Sequence, residues 1–172
     1  MNIERVGKFD VGGVARTHNM TSLIVKSYIM YLEATFHAVR QASRETGRYI
    51  RCRFITDASG RGLNHLRHAG IMRVVTSVGQ QNFPELIHTV SVVNAPGIFT
   101  TVWGAAKHLL AERIQKKVSV LGTTFLDDLS LMGIPPACLP AFLGGQAAHL
   151  DADLAQAERF PNQPLEVPGP PP

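Results

Sequence analysis

The chain has 172 residues, of which 45% are apolar and 17% charged, and its formal net charge is +4. This length corresponds to about one domain, and the apolar content excludes a largely disordered protein because a hydrophobic core can form. The basic excess favours an anionic partner, either nucleic acid or an anionic membrane surface. Aromatic residues are few and no nucleic-acid-binding module is recognisable. We therefore expect a membrane surface as partner and no nucleic acid.

The spacing of the cysteines and the length of the apolar runs indicate a cellular setting. Cys52 and Cys138 are far apart in the sequence, which predicts a reducing compartment without a disulfide framework. The start of the chain shows no secretory pattern, and no apolar run is long enough to span a bilayer. We therefore expect a cytoplasmic protein that associates with membranes reversibly, and we expect it to be a monomer.

The first fifty residues predict the end of a strand followed by a long helix. Residues 2–7 read as the end of a strand, and 11–16 are compatible with one helical turn. Thr21 is a candidate N-terminal cap for a helix that extends to about Thr46. Gly47 is a suitable stop because glycine adopts the left-handed conformation that ends many helices.

The next stretch predicts a second strand and a turn. Residues 49–56 alternate in a way that places Cys52 and Phe54 on one face of a strand. Residues 57–60, Asp-Ala-Ser-Gly, predict a turn. Residues 62–80 are predicted to be mostly helical, with basic side chains on a solvated face.

The second half of the chain continues the alternation of strands and helices. A strand is predicted over 89–93 because the residues are β-branched and apolar. The turn at 94–97 contains proline and glycine, and an almost wholly apolar helix is predicted over 98–110. Another strand follows at 117–121 and a short helix at 124–132.

Strands separated by helices predict an α/β fold with a mostly parallel sheet. We expect this lobe to occupy 1–146. The remaining residues, 147–172, are polar and then proline-rich, and they are predicted to be disordered or extended.

Several short sequence words occur along the chain in a definite order. They are Phe-Pro-Glu at 83–85, Asn-Ala-Pro at 94–96, Ile-Phe-Thr-Thr-Val-Trp at 98–103, Lys-Val-Ser-Val-Leu-Gly at 117–122, Ile-Pro-Pro at 134–136, Leu-Pro at 139–140 and Gly-Gly at 144–145. With these words the chain resembles the CRAL-TRIO lipid-binding family, of the phosphatidylinositol transfer protein type, without the family's N-terminal helical domain. The resemblance implies a sheet floor under a hydrophobic lipid cavity that is closed by a mobile gate helix.

The predicted helix at 98–110 corresponds to this gate. Its apolar side chains surround most of the helix, so it must be buried or must alternate between a cavity and a membrane. The predicted gate and cavity residues are Ile98, Phe99, Val102, Trp103, Ala106, Leu109 and Leu110. Pro96 and Gly97 are the predicted hinge. The alternative interpretation is an ordinary core helix.

The resemblance also implies headgroup contacts. In the phosphoinositide-binding branch a glutamate and a lysine hold the headgroup, and the matching residues are Glu85 and Lys117. The alternative is two surface charges or a salt bridge between them. Cys52 and Phe54 match a cavity-lining strand where phosphatidylcholine-binding members carry a pair of hydroxyls. Neither side chain can replace a hydroxyl donor, so exchange of choline lipids is not expected.

No enzyme motif emerges from the sequence. None of the seven histidines lies in a metal-binding pattern. Asp57, Ser59 and His65 suggest a triad, but the serine has no nucleophile elbow around it. We expect no catalytic residue, no metal and no cofactor apart from a bound lipid.

The resemblance implies that the chain binds phosphatidylinositol or a phosphoinositide in a hydrophobic cavity. It also implies that the chain transfers this lipid, or presents it, between membranes. Two alternatives stay open. In the first, the chain is a non-transferring lipid sensor or regulatory scaffold that acts on a partner protein. In the second, it is a truncated fragment with no stable cavity.

Overall fold

The computed structural model describes residues 1–8, 19–60, 77–79, 81–83, 85–107 and 112–150. Within these ranges four strands form one sheet: β1 (Asn2–Glu4), β2 (Cys52–Asp57), β3 (Ile87–Val93) and β4 (Val118–Val120). They lie side by side in chain order, and every neighbouring pair is parallel. The predicted α/β fold with a parallel sheet is therefore confirmed.

Helices connect these strands and follow the last one. They are α1 (Met20–Thr46), α2 (Gly97–Ala106), α3 (Glu112–Gln115) and α4 (Leu126–Leu131), with 3-10 turns at Val6–Lys8, Pro136–Cys138 and Ala141–Leu143. The helical turn predicted over 11–16 and most of the helix predicted over 62–80 lie outside the described residues.

Helix α1 ends where the sequence predicts and begins earlier than predicted. Gly47 has a φ of 65° and ends the helix in the left-handed conformation. The cap predicted at Thr21 is wrong, since the helix begins at Met20. The preceding residue, Asn19, has a φ of 62° and makes no side-chain cap hydrogen bond.

The strand predicted over 49–56 begins only at Cys52 in the structure, because hydrogen bonds tie the preceding residues to helix α1. The Ile50 amide donates to Ser43 Oγ over 3.1 Å, and Ser43 Oγ donates to the Val39 carbonyl over 2.8 Å. Sheet pairing therefore begins only at Cys52, whose amide donates to the Leu86 carbonyl over 2.8 Å.

The core of the first unit lies between α1 and one face of the sheet. Leu32 of α1 is fully buried and clusters with Cys52, Phe54 and Leu86. Half-buried side chains surround this cluster: Tyr28, Tyr31, Phe36, Val39, Phe83, Ile87 and Val90. Tyr28 and Tyr31 of α1 therefore pack against this core.

Polar groups around the buried Asp57 carboxylate join the carboxyl ends of β2 and β3. The Asp57 carboxylate accepts from the Ser59 amide (3.0 Å), the Ser59 hydroxyl (2.9 Å) and Asn94 Nδ2 (2.8 Å). Gly7 passes so close to this turn that a Cβ would collide with the Ser59 carbonyl oxygen. Asp57 and Ser59 thus hold a turn together, and His65 lies outside the described residues.

The chain divides into two compact units, Met1–Thr124 and Phe125–Pro172. The second has its own small core of buried side chains: Phe125, Leu129, Ile134, Leu139, Leu143 and Ala147. Gly144 has a φ of 74°, and a Cβ on Gly145 would lie 2.0 Å from the Leu139 carbonyl oxygen, so this closure needs both glycines. The predicted boundary at 146 stays a prediction. Ala147, the first residue of the predicted tail, belongs to this core, and its amide donates to the Leu139 carbonyl over 2.8 Å. The tail after residue 150 lies outside the described residues.

Candidate lipid-binding site

The two faces of the sheet are covered to different extents. On one face, Ile55, Ser91 and Val93 are buried. On the face that α1 covers, Val92 of β3 and Val120 of β4, the last strand of the described sheet, pair with each other and are only half-buried. Parallel sheets are normally covered on both faces. This part of the sheet is therefore an apolar surface that is still accessible to a ligand.

We call this surface the open floor and define it as Val92, Val118 and Val120. Residues that pair across neighbouring strands lie on the same face of the sheet. Val118 pairs with Val90, and Val90 packs against the core beneath α1. The open floor is thus continuous with the covered core on the same face. It offers hydrocarbon contacts and no polar side chain of its own.

Two tyrosines of α1 lie at the border of this core. The ring centroids of Tyr28 and Tyr31 are 6.2 Å apart, and Tyr31 meets Phe54 edge to face at the same distance. The Tyr31 hydroxyl is buried and makes no hydrogen bond of standard geometry, although the Glu4 carboxylate lies near it. Burial, and secondarily the nearby Glu4 carboxylate, raise the pKa of both hydroxyls. Both therefore remain protonated and available as donors at neutral pH.

Cys52 and Phe54 lie in the packed core against Leu32. Burial is the main cause that raises the pKa of the Cys52 thiol, and its sulfur lies 3.5 Å from the Arg53 carbonyl oxygen. The structure therefore places these two side chains beneath α1, on the same sheet face as the open floor. Their role as cavity-lining residues stays a prediction.

Helix α2, Gly97–Ala106, corresponds to the first part of the gate predicted over 98–110, and residues 108–110 lie outside the described residues. Ile98 is 48% exposed, whereas Phe99 and Trp103 are half-buried. The helix contacts β4, the strand that carries two residues of the open floor. The side chains of Val102 and Ala106, and all of Leu109 and Leu110, lie outside the described residues.

The predicted hinge residues begin α2. Pro96 precedes the helix, and its carbonyl accepts from the Phe99 amide over 2.8 Å. Gly97 is exposed and has no heavy atom within 4 Å of where a Cβ would stand. Packing therefore does not require glycine at this position, and its role as a hinge stays a prediction.

Glu85 lies in a groove of about 620 Å³ beside the C-terminal half of α1. The lining residues are Phe36, Val39, Arg40, Ser43, Arg44, Gly47, Arg48, Tyr49, Ile50, Asn82, Phe83, Glu85 and Leu86. Glu85 is exposed at this groove. We call this feature the arginine groove, because its three arginines supply most of its charge.

Lys117 has different neighbours. It immediately precedes β4, and its carbonyl accepts from the Val90 amide over 2.7 Å. Partial burial lowers the pKa of His88, and the nearby charges of Arg51, Arg53 and Lys117 lower it further. Lys117 therefore lies close enough to His88 to act on its charge. Within the described part of the chain no salt bridge joins Lys117 to Glu85. The structure brings both predicted headgroup residues to the amino ends of adjacent strands without pairing them.

Sequence reasoning did not single out two of these features. The arginine groove has a visible signal, since Arg40, Arg44 and Arg48 repeat every four residues. The proximity of Glu4 to Tyr28 and Tyr31 has no such signal, because Glu4 is far from them in the sequence and approaches them through the pairing of β1 with β2.

A search of the described residues finds no helix that is long and apolar enough to cross a membrane. The same part of the chain contains no cluster of three or more histidine, cysteine, aspartate or glutamate side chains that would suit a metal ion.

Comparison with known proteins identifies the family. The model of the CRAL/TRIO domain matches residues 3–145. A phosphatidylinositol/phosphatidylcholine transfer protein of Arabidopsis thaliana is 29% identical over 162 residues, which are 87% of this chain and 40% of that protein. A CRAL-TRIO domain-containing protein of Caenorhabditis elegans is 28% identical over 159 residues, 90% of this chain and 22% of that protein.

A cytosolic factor of Schizosaccharomyces pombe is 30% identical over 148 residues, 83% of this chain and 50% of that protein. The chain therefore spans half or less of the length of these relatives. Because the family model matches most of the sequence, this chain belongs to the CRAL/TRIO domain family. The resemblance seen in the sequence words is confirmed.

Proposed function

We propose that this chain binds phosphatidylinositol or a phosphoinositide in an apolar cavity and transfers or presents it between membranes. The open floor carries this proposal, because it is apolar surface left accessible on β3 and on β4, the last strand of the described parallel sheet. The relatives named as phosphatidylinositol/phosphatidylcholine transfer proteins support it. The setting we propose is cytoplasmic, with a monomer that reversibly contacts an anionic membrane surface.

The energetics of lipid carriage fit such a floor. Each methylene removed from water contributes about 0.8 kcal/mol, so acyl chains need an extended apolar surface. Moving a chain from a bilayer to the open floor exchanges one hydrocarbon environment for another and needs no energy source. The acyl chains would lie over Val92, Val118 and Val120, and helix α2 would close over them.

The headgroup would meet the amino ends of β3 and β4. Lys117 would neutralise a phosphate, and Glu85 would accept hydrogen bonds from ring hydroxyls. Both side chains are at least partly accessible. This function needs no catalytic residue, so we propose a carrier and not an enzyme.

Mass spectrometry of the lipid that co-purifies with the chain tests the proposal. We expect phosphatidylinositol to be bound, and we expect Glu85→Ala with Lys117→Ala to reduce its loading. The matched control is Glu112→Ala with Lys116→Ala, which removes an exposed ion pair of the same charges at 2.7 Å. Absence of any bound phospholipid from a folded protein would contradict the proposal.

A vesicle-to-vesicle assay separates transfer from mere binding. A carrier moves fluorescent phosphatidylinositol between vesicles, whereas a lipid sensor or regulatory scaffold loads the lipid and does not release it. Loading of phosphatidylinositol without transfer would therefore favour the second candidate function, a lipid sensor or regulatory scaffold that acts on a partner protein.

Gly97→Ala tests the hinge without a steric complication, because its new Cβ would meet no atom within 4 Å. We expect slower transfer, since alanine restricts the backbone freedom of this position. Gly104→Ala, in the same helix and with the same free space, is the control and should leave the transfer rate nearly unchanged. Equal rates in Gly97→Ala and the parent would remove the hinge from the mechanism.

Trp103, the only tryptophan, reports on the gate. Its emission should shift to the blue when anionic vesicles are added. Phe99→Asp should reduce both membrane association and transfer, because a carboxylate resists burial in the cavity and in the bilayer alike. Unchanged emission at a full transfer rate would show that the gate lies elsewhere.

A further inference from the structure

The arginine groove follows the last turns of α1. Its lining residues on this side run from Phe36 to Gly47, the residue that ends the helix. At a rise of about 1.5 Å per residue, this span covers roughly 17 Å, or about three turns. Arg40, Arg44 and Arg48 line the groove, and all three side chains are exposed. The groove therefore presents positive charge along the length of a short helix.

The base of the groove is apolar and aromatic. Phe36 meets Phe83 edge to face, with ring centroids 6.2 Å apart, and both pack against the core cluster that contains Leu86. Tyr49 also lines the groove and is 73% exposed. Aromatic side chains and arginines are enriched at protein–protein interfaces and supply much of their binding free energy. The composition of this groove is thus that of a surface that binds another protein.

Local contacts hold part of the groove in place before any partner binds. The Arg40 guanidinium lies 5.4 Å from the centre of the Phe36 ring, a cation–π distance. The Ile50 amide donates to Ser43 Oγ over 3.1 Å and so ties the segment that follows α1, including Arg48, to the helix. Side chains and loops that are already ordered lose less entropy on binding. This order favours association with a partner.

The positive charge of the groove is not balanced by the protein. Like charges four residues apart on a helix destabilise it. Among the described residues, no salt bridge involves Arg40, Arg44 or Arg48. Glu85 is the acidic side chain among the lining residues, and it is exposed. Three cations against one anion leave the surface complementary to a negatively charged partner.

We propose that the arginine groove is a docking surface for an acidic, amphipathic helix of a partner protein. Helices that lie side by side rise equally per residue, so carboxylates four residues apart on the partner would face Arg40 and Arg44. Guanidinium and carboxylate groups form bidentate, charged hydrogen bonds. Apolar side chains beside these carboxylates would lie against Phe36 and Phe83, as in other complexes of a helix with a groove.

The apolar base favours this occupant over a membrane or a small polyphosphate. A flat bilayer surface does not enter a concavity, and a phosphorylated ring is hydrated on all sides and would leave the aromatic base uncovered. An amphipathic helix supplies both the negative charge and the hydrocarbon that the groove can bind. Because a groove of about 620 Å³ covers only part of such a helix, we expect a transient contact. The inference goes beyond the proposed function and does not depend on lipid carriage.

Fluorescence anisotropy with the whole chain and a labelled synthetic peptide tests the inference. The peptide is alanine-based and long enough to be helical, with glutamates four residues apart and leucines on the same face. A reference peptide has the same composition, with its leucines moved to the opposite face. We expect the first peptide to bind at least about tenfold more tightly, because only its leucines can reach the apolar base while its glutamates face the arginines.

The decisive variant replaces all three arginines: Arg40→Gln, Arg44→Gln and Arg48→Gln. We expect its affinity for the first peptide to fall at least about tenfold, because charged hydrogen bonds are lost. The control removes three exposed lysines outside the groove, Lys8→Gln, Lys26→Gln and Lys116→Gln, and should change the affinity by less than about twofold.

A second variant, Tyr49→Ala, tests the aromatic part of the groove without disturbing the core, because this side chain is 73% exposed. We expect the affinity for the first peptide to fall about threefold or more, because an aromatic contact is lost. Thermal unfolding of this variant should match that of the parent. Unchanged peptide affinity in a folded Tyr49→Ala variant would contradict the predicted contact.

Three further results would overturn the inference: unchanged affinity in the glutamine variant, an equal loss in the lysine control, or equally tight binding of the reference peptide. Inositol trisphosphate and vesicles containing phosphatidylserine are measured with the same variants. If either of them binds through the three arginines and the peptide does not, the groove takes a phosphate or a membrane surface and the inference is wrong. Phosphatidylinositol that still co-purifies in that case would leave the proposed function intact.

Discussion

The covered core and the open floor lie on the same face of one sheet, and both are built from apolar side chains. Under α1, Cys52 and Phe54 are buried against Leu32. Toward the other edge, Val92 and Val120 are half-buried on neighbouring strands. The difference teaches that the strand residues alone do not decide which part of a sheet is core and which part is binding surface. The element packed above them decides it.

The largest expected effect lies in the covered core. Leu32→Ala should lower the free energy of unfolding by about 2–5 kcal/mol, because it leaves a cavity in a fully buried cluster. Met30→Ala, at a position that is 69% exposed on the same helix, should change it by less than about 0.5 kcal/mol. Urea denaturation measures both. A loss below about 1 kcal/mol for Leu32→Ala would show that this region is not tightly packed.

A charge on the open floor should affect loading more than stability. Val120→Lys should reduce the amount of co-purifying lipid at least about tenfold, because an ammonium group resists burial under acyl chains. Its long stem should still allow the ammonium to reach water in the lipid-free protein. Leu131→Lys, at a position that is 88% exposed, should load lipid like the parent. Equal loading in both variants would contradict the floor assignment.

At the border between the two regions, Tyr31→Phe removes a buried hydroxyl that lies near the Glu4 carboxylate and makes no hydrogen bond of standard geometry. Deleting such a group should leave the free energy of unfolding unchanged or raise it by up to about 1 kcal/mol. Tyr49→Phe, which is exposed, is the control and should have no effect. A clear loss of stability in Tyr31→Phe would mean that the hydroxyl does have a partner in solution.

The smallest effect concerns pH and the amino ends of the strands. The pKa of His88 is lowered by partial burial and by Arg51, Arg53 and Lys117. The unfolded chain therefore takes up the proton at a higher pH than the folded chain does. Stability should rise with pH from the lowered pKa up to about pH 6.5 and then level off. His88→Gln should flatten this part of the stability profile, and an unchanged slope would assign it to another group.

The sequence predicted local elements well where a local cause acts. Gly47 ends α1 as predicted because the left-handed conformation is a property of that residue and its neighbours. The β-branched run of β3 and the Pro-Gly turn before α2 were found for the same reason. An error occurred where a contact with another element intervened: the Ser43 hydroxyl of α1 accepts from the Ile50 amide, and β2 begins only at Cys52.

The sequence by itself determined the order of elements, the parallel α/β class and the family, because backbone preferences and short motifs are readable along the chain. Only the tertiary structure decided which valines form the open floor and which side chains share the arginine groove. Burial depends on the element that packs above a residue, and Glu85 meets the arginines of α1 only because the chain before β3 passes that helix. Such contacts between distant segments are products of packing, and no local pattern encodes them.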